Sequence, residues 1–163
     1  MPSAAILTIS DTRAAGTRED TTTDLMAEIL ADIGIEVVAR RLVPDEQDEI
    51  ATAIVELTAG GTDLVLTSGG TGLAPRDITP EATRSVIDRE APGIAEAMRA
   101  QTARIQPLAW LSRAVAGTRG RTLVINLPGN PKAVRECLDV IGPMLGHALK
   151  LSSGGDGDVA HKP

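Results

Sequence analysis

Thr67-Ser68-Gly69-Gly70-Thr71-Gly72-Leu73-Ala74-Pro75-Arg76-Asp77 is the stretch whose residue types and spacing could do chemistry. Three glycines among four residues let backbone N–H groups approach an anion without Cβ obstruction, and the hydroxyls of Thr67, Ser68 and Thr71 add donors. By itself such a run is also an ordinary Gly-rich turn, since it lacks the lysine of a P-loop and the spacing of a dinucleotide fingerprint. Asp77 shifts the reading. Thr79 before Pro80 fits the cap and first turn of a following helix, with Glu81 near its positive end, which leaves Asp77 without a capping role. A carboxylate beside a phosphate cradle repels the anion unless a divalent cation bridges the two. Asp77 is therefore a candidate for magnesium binding or catalysis.

The elements that must position this loop follow from the patterning around it. Asp63-Leu64-Val65-Leu66 reads as a strand buried on both faces, so the loop begins where a strand ends. Ala4–Ile9 is a first buried strand, followed by Ser10-Asp11-Thr12-Arg13 and a charged, flexible loop. Leu25, Ile29, Leu30 and Ile33 then mark a helix after Asp20-Thr21-Thr22-Thr23, ended by Gly34. A strand over Ile35–Val43 ends at Pro44-Asp45-Glu46-Gln47, and Ile50, Ala53, Ile54 and Leu57 mark a second helix closed by Gly60-Gly61. Helices follow from Pro80 to about Asp88 and from Pro92 to about Ala103, each with proline in its first turn. Ala114–Gly117 and Thr122–Leu127 read as strands joined in a hairpin around Thr118-Arg119-Gly120. Asn130 fits an N-cap with Pro131 at the first position of a last helix, whose apolar face is Val134, Cys137, Leu138, Ile141 and Leu145.

Alternating strands and helices predict a three-layer α/β/α sandwich with a mostly parallel sheet carrying one antiparallel strand. Ligands of such folds collect at the carboxyl ends of the strands. Ser10-Asp11, Asp45, the Thr67–Asp77 loop and Asn126–Asn130 all fall at predicted strand ends, so they are expected on one rim despite their separation in sequence.

Composition narrows the partners. The 163 residues make one domain by size, over residues 1–150, with a Gly-, Ser- and Asp-rich flexible tail expected over residues 151–163. One Trp and no Phe or Tyr leave no base-stacking platform, and a net charge of −6 argues against nucleic acid and anionic membrane as partners. The single cysteine, Cys137, can form no internal disulfide, and neither a signal segment nor a spanning run is legible, which together predict a cytoplasmic protein.

The motifs, taken in order, resemble those of the molybdopterin adenylyltransferases of molybdenum-cofactor assembly. The matching residues are Leu66–Gly72, Pro75-Arg76-Asp77-Ile78-Thr79-Pro80-Glu81-Ala82-Thr83 and Leu127-Pro128-Gly129-Asn130-Pro131. Ile9-Ser10-Asp11, Val43-Pro44-Asp45-Glu46, Leu111-Ser112-Arg113 and Ala116-Gly117 support them, so the resemblance runs from about Ala4 to Leu149. It implies the molybdopterin-binding fold and adenylyl transfer from ATP to the terminal phosphate of molybdopterin, with Mg²⁺, on a homotrimer that hands its product to a molybdenum insertase. It also implies that Asp45 and Asp77 are the catalytic and metal-associated carboxylates. Substrate contacts are implied at Ser10, Asp11, Gly69, Gly70, Thr71, Gly72, Ser112, Asn126, Pro128, Gly129 and Asn130.

Asp45 has a competing reading as a helix N-cap with Asp48 three positions on. Glu19-Asp20-Thr21-Thr22 departs from the Asp-Arg-Ser-Gly-like motif of many relatives, and Asp20 also reads as a cap. Arg76 and Arg113 are either surface charges or anion binders, while Cys137, Met98 and Trp110 read as packing residues, the last two also as interface candidates. Two other function classes stand beside the enzyme: a non-catalytic molybdopterin-binding or scaffold protein on the same fold, and an unrelated phosphate-binding α/β module. The retained Asp77 favours the enzyme over the scaffold.

Overall fold

A computed structural model describes residues 1–155. The tail expected over residues 151–163 falls for the most part outside them. The helix that precedes it continues to Ser152, and Gly155 N–H still donates to the Lys150 carbonyl.

The chain folds as β1 (Ser3–Ile9), α1 (Asp11–Ala14), α2 (Thr22–Asp32), β2 (Glu36–Val43), α3 (Gln47–Ala59), β3 (Leu64–Ser68) and α4 (Thr79–Val86). Then come β4 (Arg89–Glu90), α5 (Pro92–Thr102), a 3₁₀ turn over Pro107–Leu111, β5 (Ala116–Arg119), β6 (Thr122–Leu127) and α6 (Pro131–Ser152). The six strands form one sheet in the order β2-β1-β3-β6-β5-β4. β1, β2, β3 and β6 are parallel, with Leu7 beside Thr67 and Thr67 beside Asn126, and β5 alone runs against them, in the predicted hairpin with β6.

Side chains alternate across the central strands and so feed two cores. Ala4, Ile6, Leu64, Leu66 and Ile125 face α2, α5 and α6 through Met26, Leu30, Met98, Leu138 and Ile141. Ala5, Leu7, Ile9, Val65 and Val124 face α3 and α4 through Ile50, Ile54 and Ala82. These are the layers of the expected sandwich, built without a single buried aromatic ring. Because α2, which follows β1, and α4, which follows β3, lie on opposite faces, the connections leaving β1 and β3 diverge, and a crevice opens between the carboxyl ends of these neighbouring strands.

Three local expectations change. Arg13 does not lie in a flexible loop: Ser10 caps the short α1, accepting Arg13 N–H at 3.2 Å, and Arg13 is buried. Thr79 is not a side-chain cap. It is the first residue of α4, fully buried, and its hydroxyl reaches across to the Gly69 carbonyl at 2.9 Å. The helix predicted to reach Asp88 stops at Val86, because Arg89 and Glu90 pair with Thr118 and Gly117 as a short edge strand.

Candidate active site

The crevice floor is made by backbone packing. Gly69 N–H donates to the Leu127 carbonyl at 3.0 Å, which ties the end of β3 to the end of β6. Gly69 has φ +107°, and a Cβ there would strike the Ile9 carbonyl oxygen, so β1 and the loop approach as closely as they do only with glycine at this position. Gly129 packs against Gly69 from the other side, its own Cβ position lying 3.4 Å from the Gly69 Cα. Three strand ends thus converge, as their motif positions predict.

Two of the three hydroxyls read as anion donors are engaged elsewhere. Thr67 Oγ1 accepts from the Asn126 amide at 3.0 Å, and Ser68 Oγ donates to the Pro128 carbonyl at 2.9 Å; both residues are fully buried. The donors that stay open are in the main chain. Among the described residues, the N–H groups of Gly70, Thr71 and Gly72 donate to no backbone carbonyl, while Thr79 N–H holds the Gly70 carbonyl and Arg113 N–H the Thr71 carbonyl.

The carboxylates are fixed by one another's loops. Asp11 N–H donates to Asp45 Oδ2 at 2.9 Å, and Asp45 N–H donates to Asp11 Oδ1 at 3.0 Å. This exchange excludes the capping role for Asp45: the residue preceding α3 is Glu46, and it makes no side-chain cap. Arg76 closes the arrangement through Nε to Asp11 Oδ2 at 2.6 Å, with Nη2 reaching Asp11 Oδ1, the Asp45 carbonyl and Glu46 Oε1. The Arg76 guanidinium holds Asp11 below its ordinary carboxylate pKa, helped by Asp45 N–H, and Arg76 is itself raised. Asp45 goes the other way. Burial pushes its pKa up, and the neighbouring charges of Asp11 and Asp77 push in the same direction.

Asp77 Oδ2 accepts Ala74 N–H at 3.0 Å and so shapes its own turn. Arg113 staples that turn from behind, donating to the Gly72 and Asp77 carbonyls and pairing with Glu81, whose pKa it lowers. Both arginines weighed as anion binders therefore hold loops in place.

The resulting hollow, about 310 Å³, is lined by Ser10, Asp45, Gly69, Gly70, Asp77 and Gly129 among others. Beyond Pro128 lies a second, apolar hollow of about 240 Å³, lined by Ser112 and Asn126 together with Met98, Ala109 and Cys137. Asn126 is fully buried with its amide engaged by Val115 N–H, Thr67 and Thr83, which makes it the pin joining β6, β3 and α4. Asn130 caps α6 as expected, accepting Lys132 and Ala133 N–H. Cys137 is a packing residue; burial pushes its thiol up to about 11. In the divergent first loop, Asp20 does act as a cap, accepting Thr23 N–H at 3.3 Å. A larger hollow, about 870 Å³, lies at the opposite ends of the strands, beside Asp63, Arg119 and Thr122. Its arginines are held by carbonyls, Arg119 by Val86 and Arg121 by Ser153, and it contains none of the motif residues.

Among the described residues, no group of three or more His, Cys, Asp or Glu side chains could hold a metal ion unaided. Asp45 Oδ1 and Asp77 Oδ1 accept nothing from the protein among the described residues, and both residues line the same hollow. Two hard oxygen donors with open positions for water and phosphate suit magnesium, which is commonly held by one or two carboxylates plus substrate oxygens.

Residues 5–147 match the family described as a probable molybdopterin binding domain. The chain belongs to that family. It is 39% identical over 152 residues to the molybdopterin adenylyltransferase of Helicobacter pylori strain J99, covering 91% of this chain and 86% of that one. The Escherichia coli K12 molybdopterin adenylyltransferase is 46% identical over 110 residues, 67% of this chain and 56% of that one. Gephyrin of Dictyostelium discoideum matches at 44% identity over 71% of this chain, which corresponds to 16% of that longer protein. Among solved structures, the molybdopterin biosynthesis enzyme MoaB of Thermus thermophilus superposes with a TM-score of 0.90 at 52% identity, covering 96% of this chain and 99% of that one. The molybdopterin biosynthesis Mog protein of Mycobacterium ulcerans gives 0.87 at 37% identity, with 93% and 99% covered. No helix of the described residues is long and apolar enough to cross a membrane.

Sequence reasoning missed Arg13, which also lines the acidic hollow. It stands in a polar stretch with no apolar periodicity, and no pattern signals that the stretch folds inward.

Proposed function

We propose that this protein is a molybdopterin adenylyltransferase that joins the adenylyl group of ATP to the terminal phosphate of molybdopterin in molybdenum-cofactor biosynthesis. The observation that carries this reading is the placement of Asp45 and Asp77 on one hollow with the Gly69–Gly70 and Gly129 backbone, next to an apolar hollow that opens at Ser112. A reaction between two polyanions needs both features, one to manage charge and one to hold a heterocycle.

In this reading the pterin lies against Met98, Ala109 and Ser112, and its phosphate points past Pro128 and Gly129 into the acidic hollow. An oxygen of that phosphate attacks the α-phosphorus of ATP, a P–O–P bond forms, and the bond to pyrophosphate breaks. The open amides of Gly70, Thr71 and Gly72 face phosphate oxygens, and their preorganisation by Thr79 and Arg113 means that no donor has to reorient as charge shifts to the leaving group. Asp45 and Asp77 would hold Mg²⁺, which would supply neutralisation of the phosphates. Asp11 and Arg76 keep the Asp45 loop in place. Ser10 and Asn130 cap helices while lining the acidic hollow, and Asn126 pins the rim while lining the apolar one, so all three shape the surface that substrate meets.

We also propose a homotrimer. Ile105, Leu108, Trp110 and Leu111 on and beside the 3₁₀ turn are all exposed, a concentration of apolar surface that self-association would cover. Hand-over of the product to an insertase, in the cytoplasm, completes the proposal. The longer relatives, in which the matching segment is joined to further chain, support that order of events.

The deciding experiment incubates the purified protein with ATP, Mg²⁺ and molybdopterin and detects adenylylated pterin and pyrophosphate. Protein that binds the pterin but releases no pyrophosphate is a binding or scaffold protein instead.

A further inference from the structure

Arg13 is the only charged side chain among the buried residues described, with 7% of its surface exposed. No ion pair joins it to a carboxylate among the described residues. Its Nε is completely buried and has no hydrogen-bond partner, the one buried side-chain nitrogen or oxygen described of which this is true. Among the described residues the guanidinium's one hydrogen bond is from Nη2 to Thr22 Oγ1 at 3.4 Å, which is long for a hydrogen bond. A guanidinium keeps its charge when buried, and a buried charge without a counter-ion is unfavourable. By contrast Arg76 and Arg113, on the same rim, are saturated by carboxylates and carbonyls.

Arg13, with the exposed Arg18 at its edge, lines the hollow that holds Asp45, Asp77 and the Gly69, Gly70 and Gly129 backbone; of the two arginines only Arg13 is buried. Two carboxylates on that wall oppose the entry of any phosphate. A fixed cation on the adjoining wall, with a donor left open, is what lets an anion settle there.

We propose that Arg13 is a phosphate-binding side chain of this hollow, its Nη–H groups taking two oxygens of one phosphate group in the forked geometry that guanidinium favours. The identity of that phosphate rests on the adenylyl-transfer reading. It belongs either to the pyrophosphate end of ATP or to the phosphomonoester of the pterin, and the two share the chemistry that Arg13 recognises.

Calorimetric titration of the full chain with inorganic pyrophosphate, and separately with inorganic phosphate, in magnesium-containing buffer tests this without turnover. The unaltered protein binds at least one of the two, and Arg13→Met weakens that binding at least tenfold. Weakened pyrophosphate binding assigns Arg13 to the nucleotide, and weakened binding of phosphate alone assigns it to the pterin. Without ligand, Arg13→Met melts at or above the temperature of the unaltered chain, because the uncompensated charge is gone; a purely structural arginine gives a lower melting temperature and unchanged anion affinity. Arg13→Lys, which keeps the charge but not the fork, recovers part of the affinity. If Arg13→Met does not fold, Arg13→Gln carries the same comparison. Failure of the unaltered protein to bind either anion, or equal binding by the folded Arg13 variant, overturns the proposal. Protein that binds pyrophosphate through Arg13 yet makes no adenylylated pterin retains this inference and loses the enzyme reading. A chain that turns over while its Arg13 variant binds both anions normally does the reverse.

Discussion

Asp45 and Asp11 each accept the other's backbone N–H, yet their acidities diverge: Arg76 stabilises the Asp11 charge, whereas burial disfavours the Asp45 charge. The sign of the second effect yields a prediction. A raised folded-state pKa means that the folded chain holds the Asp45 proton more tightly than the unfolded chain. That contribution to stability is complete below the ordinary carboxylate range and is lost as pH rises through the raised value. Asp45→Asn is therefore expected to melt at or above the unaltered protein at neutral pH, since its side-chain oxygen still accepts Asp11 N–H. Turnover is expected to fall about a hundredfold, or roughly 3 kcal/mol of transition-state stabilisation. A variant that loses stability but keeps its rate would return Asp45 to a structural role. The acid limb of kcat/KM is expected above the ordinary aspartate pKa and should move to lower pH as Mg²⁺ is raised, because a bound cation favours the ionised carboxylate. Asp77→Asn should also lose turnover at a nearly unchanged melting temperature, Asn still being able to accept Ala74 N–H. Full activity of both variants at saturating Mg²⁺ would remove the pair from the reaction.

The elements place these side chains through main-chain contacts, and the two glycine loops respond differently to a methyl group. Gly16 has φ +74° and nothing within 4 Å of its Cβ position, so Gly16→Ala carries only the left-handed backbone penalty, about 1–2 kcal/mol. Gly69→Ala adds a collision with the Ile9 carbonyl and is expected to lose roughly 2–4 kcal/mol, read as a lower midpoint in urea with unchanged slope. Equal losses at both positions would mean that the β1–β3 approach is not tight. The strands, the main helices, the β5–β6 hairpin and the convergence of strand ends were legible because each follows from local periodicity or from capping and turn residues close in sequence. The rest depends on contacts far apart in sequence. In sequence Asp45 fits a helix cap as well as a catalytic carboxylate, and what separates the two is the N–H of Asp11, 34 residues away, which donates to it. Thr79 reads as a cap because the Gly69 carbonyl that it reaches is supplied by the folded loop. The 3₁₀ turn and β4 are too short to show a period, and Arg13 is buried by neighbours that its own segment does not announce.

At the scale of the molecule, the chain makes its core from aliphatic side chains and leaves its only tryptophan outside, Trp110 being 60% exposed. The same 3₁₀ turn carries Trp110 and Leu111 on its outer side and contributes Leu108 and Ala109 to the wall of the apolar hollow. An interface formed there would cover indole and leucine together and would stiffen one wall of the hollow. Light scattering at micromolar concentration is accordingly expected to report three chains, with Trp110 emission shifted to the blue and returning toward the red on dilution. Leu111→Lys introduces a charge into the exposed patch without touching the hollow. It should give a folded monomer whose tryptophan emission is red-shifted at every concentration and whose affinity for the pterin is lower, because the 3₁₀ turn is no longer braced. A trimer that survives Leu111→Lys with blue-shifted emission would place the interface on another face. A monomer of the unaltered chain with solvent-like emission would remove the assembly altogether and leave the hollow to be completed by one chain alone.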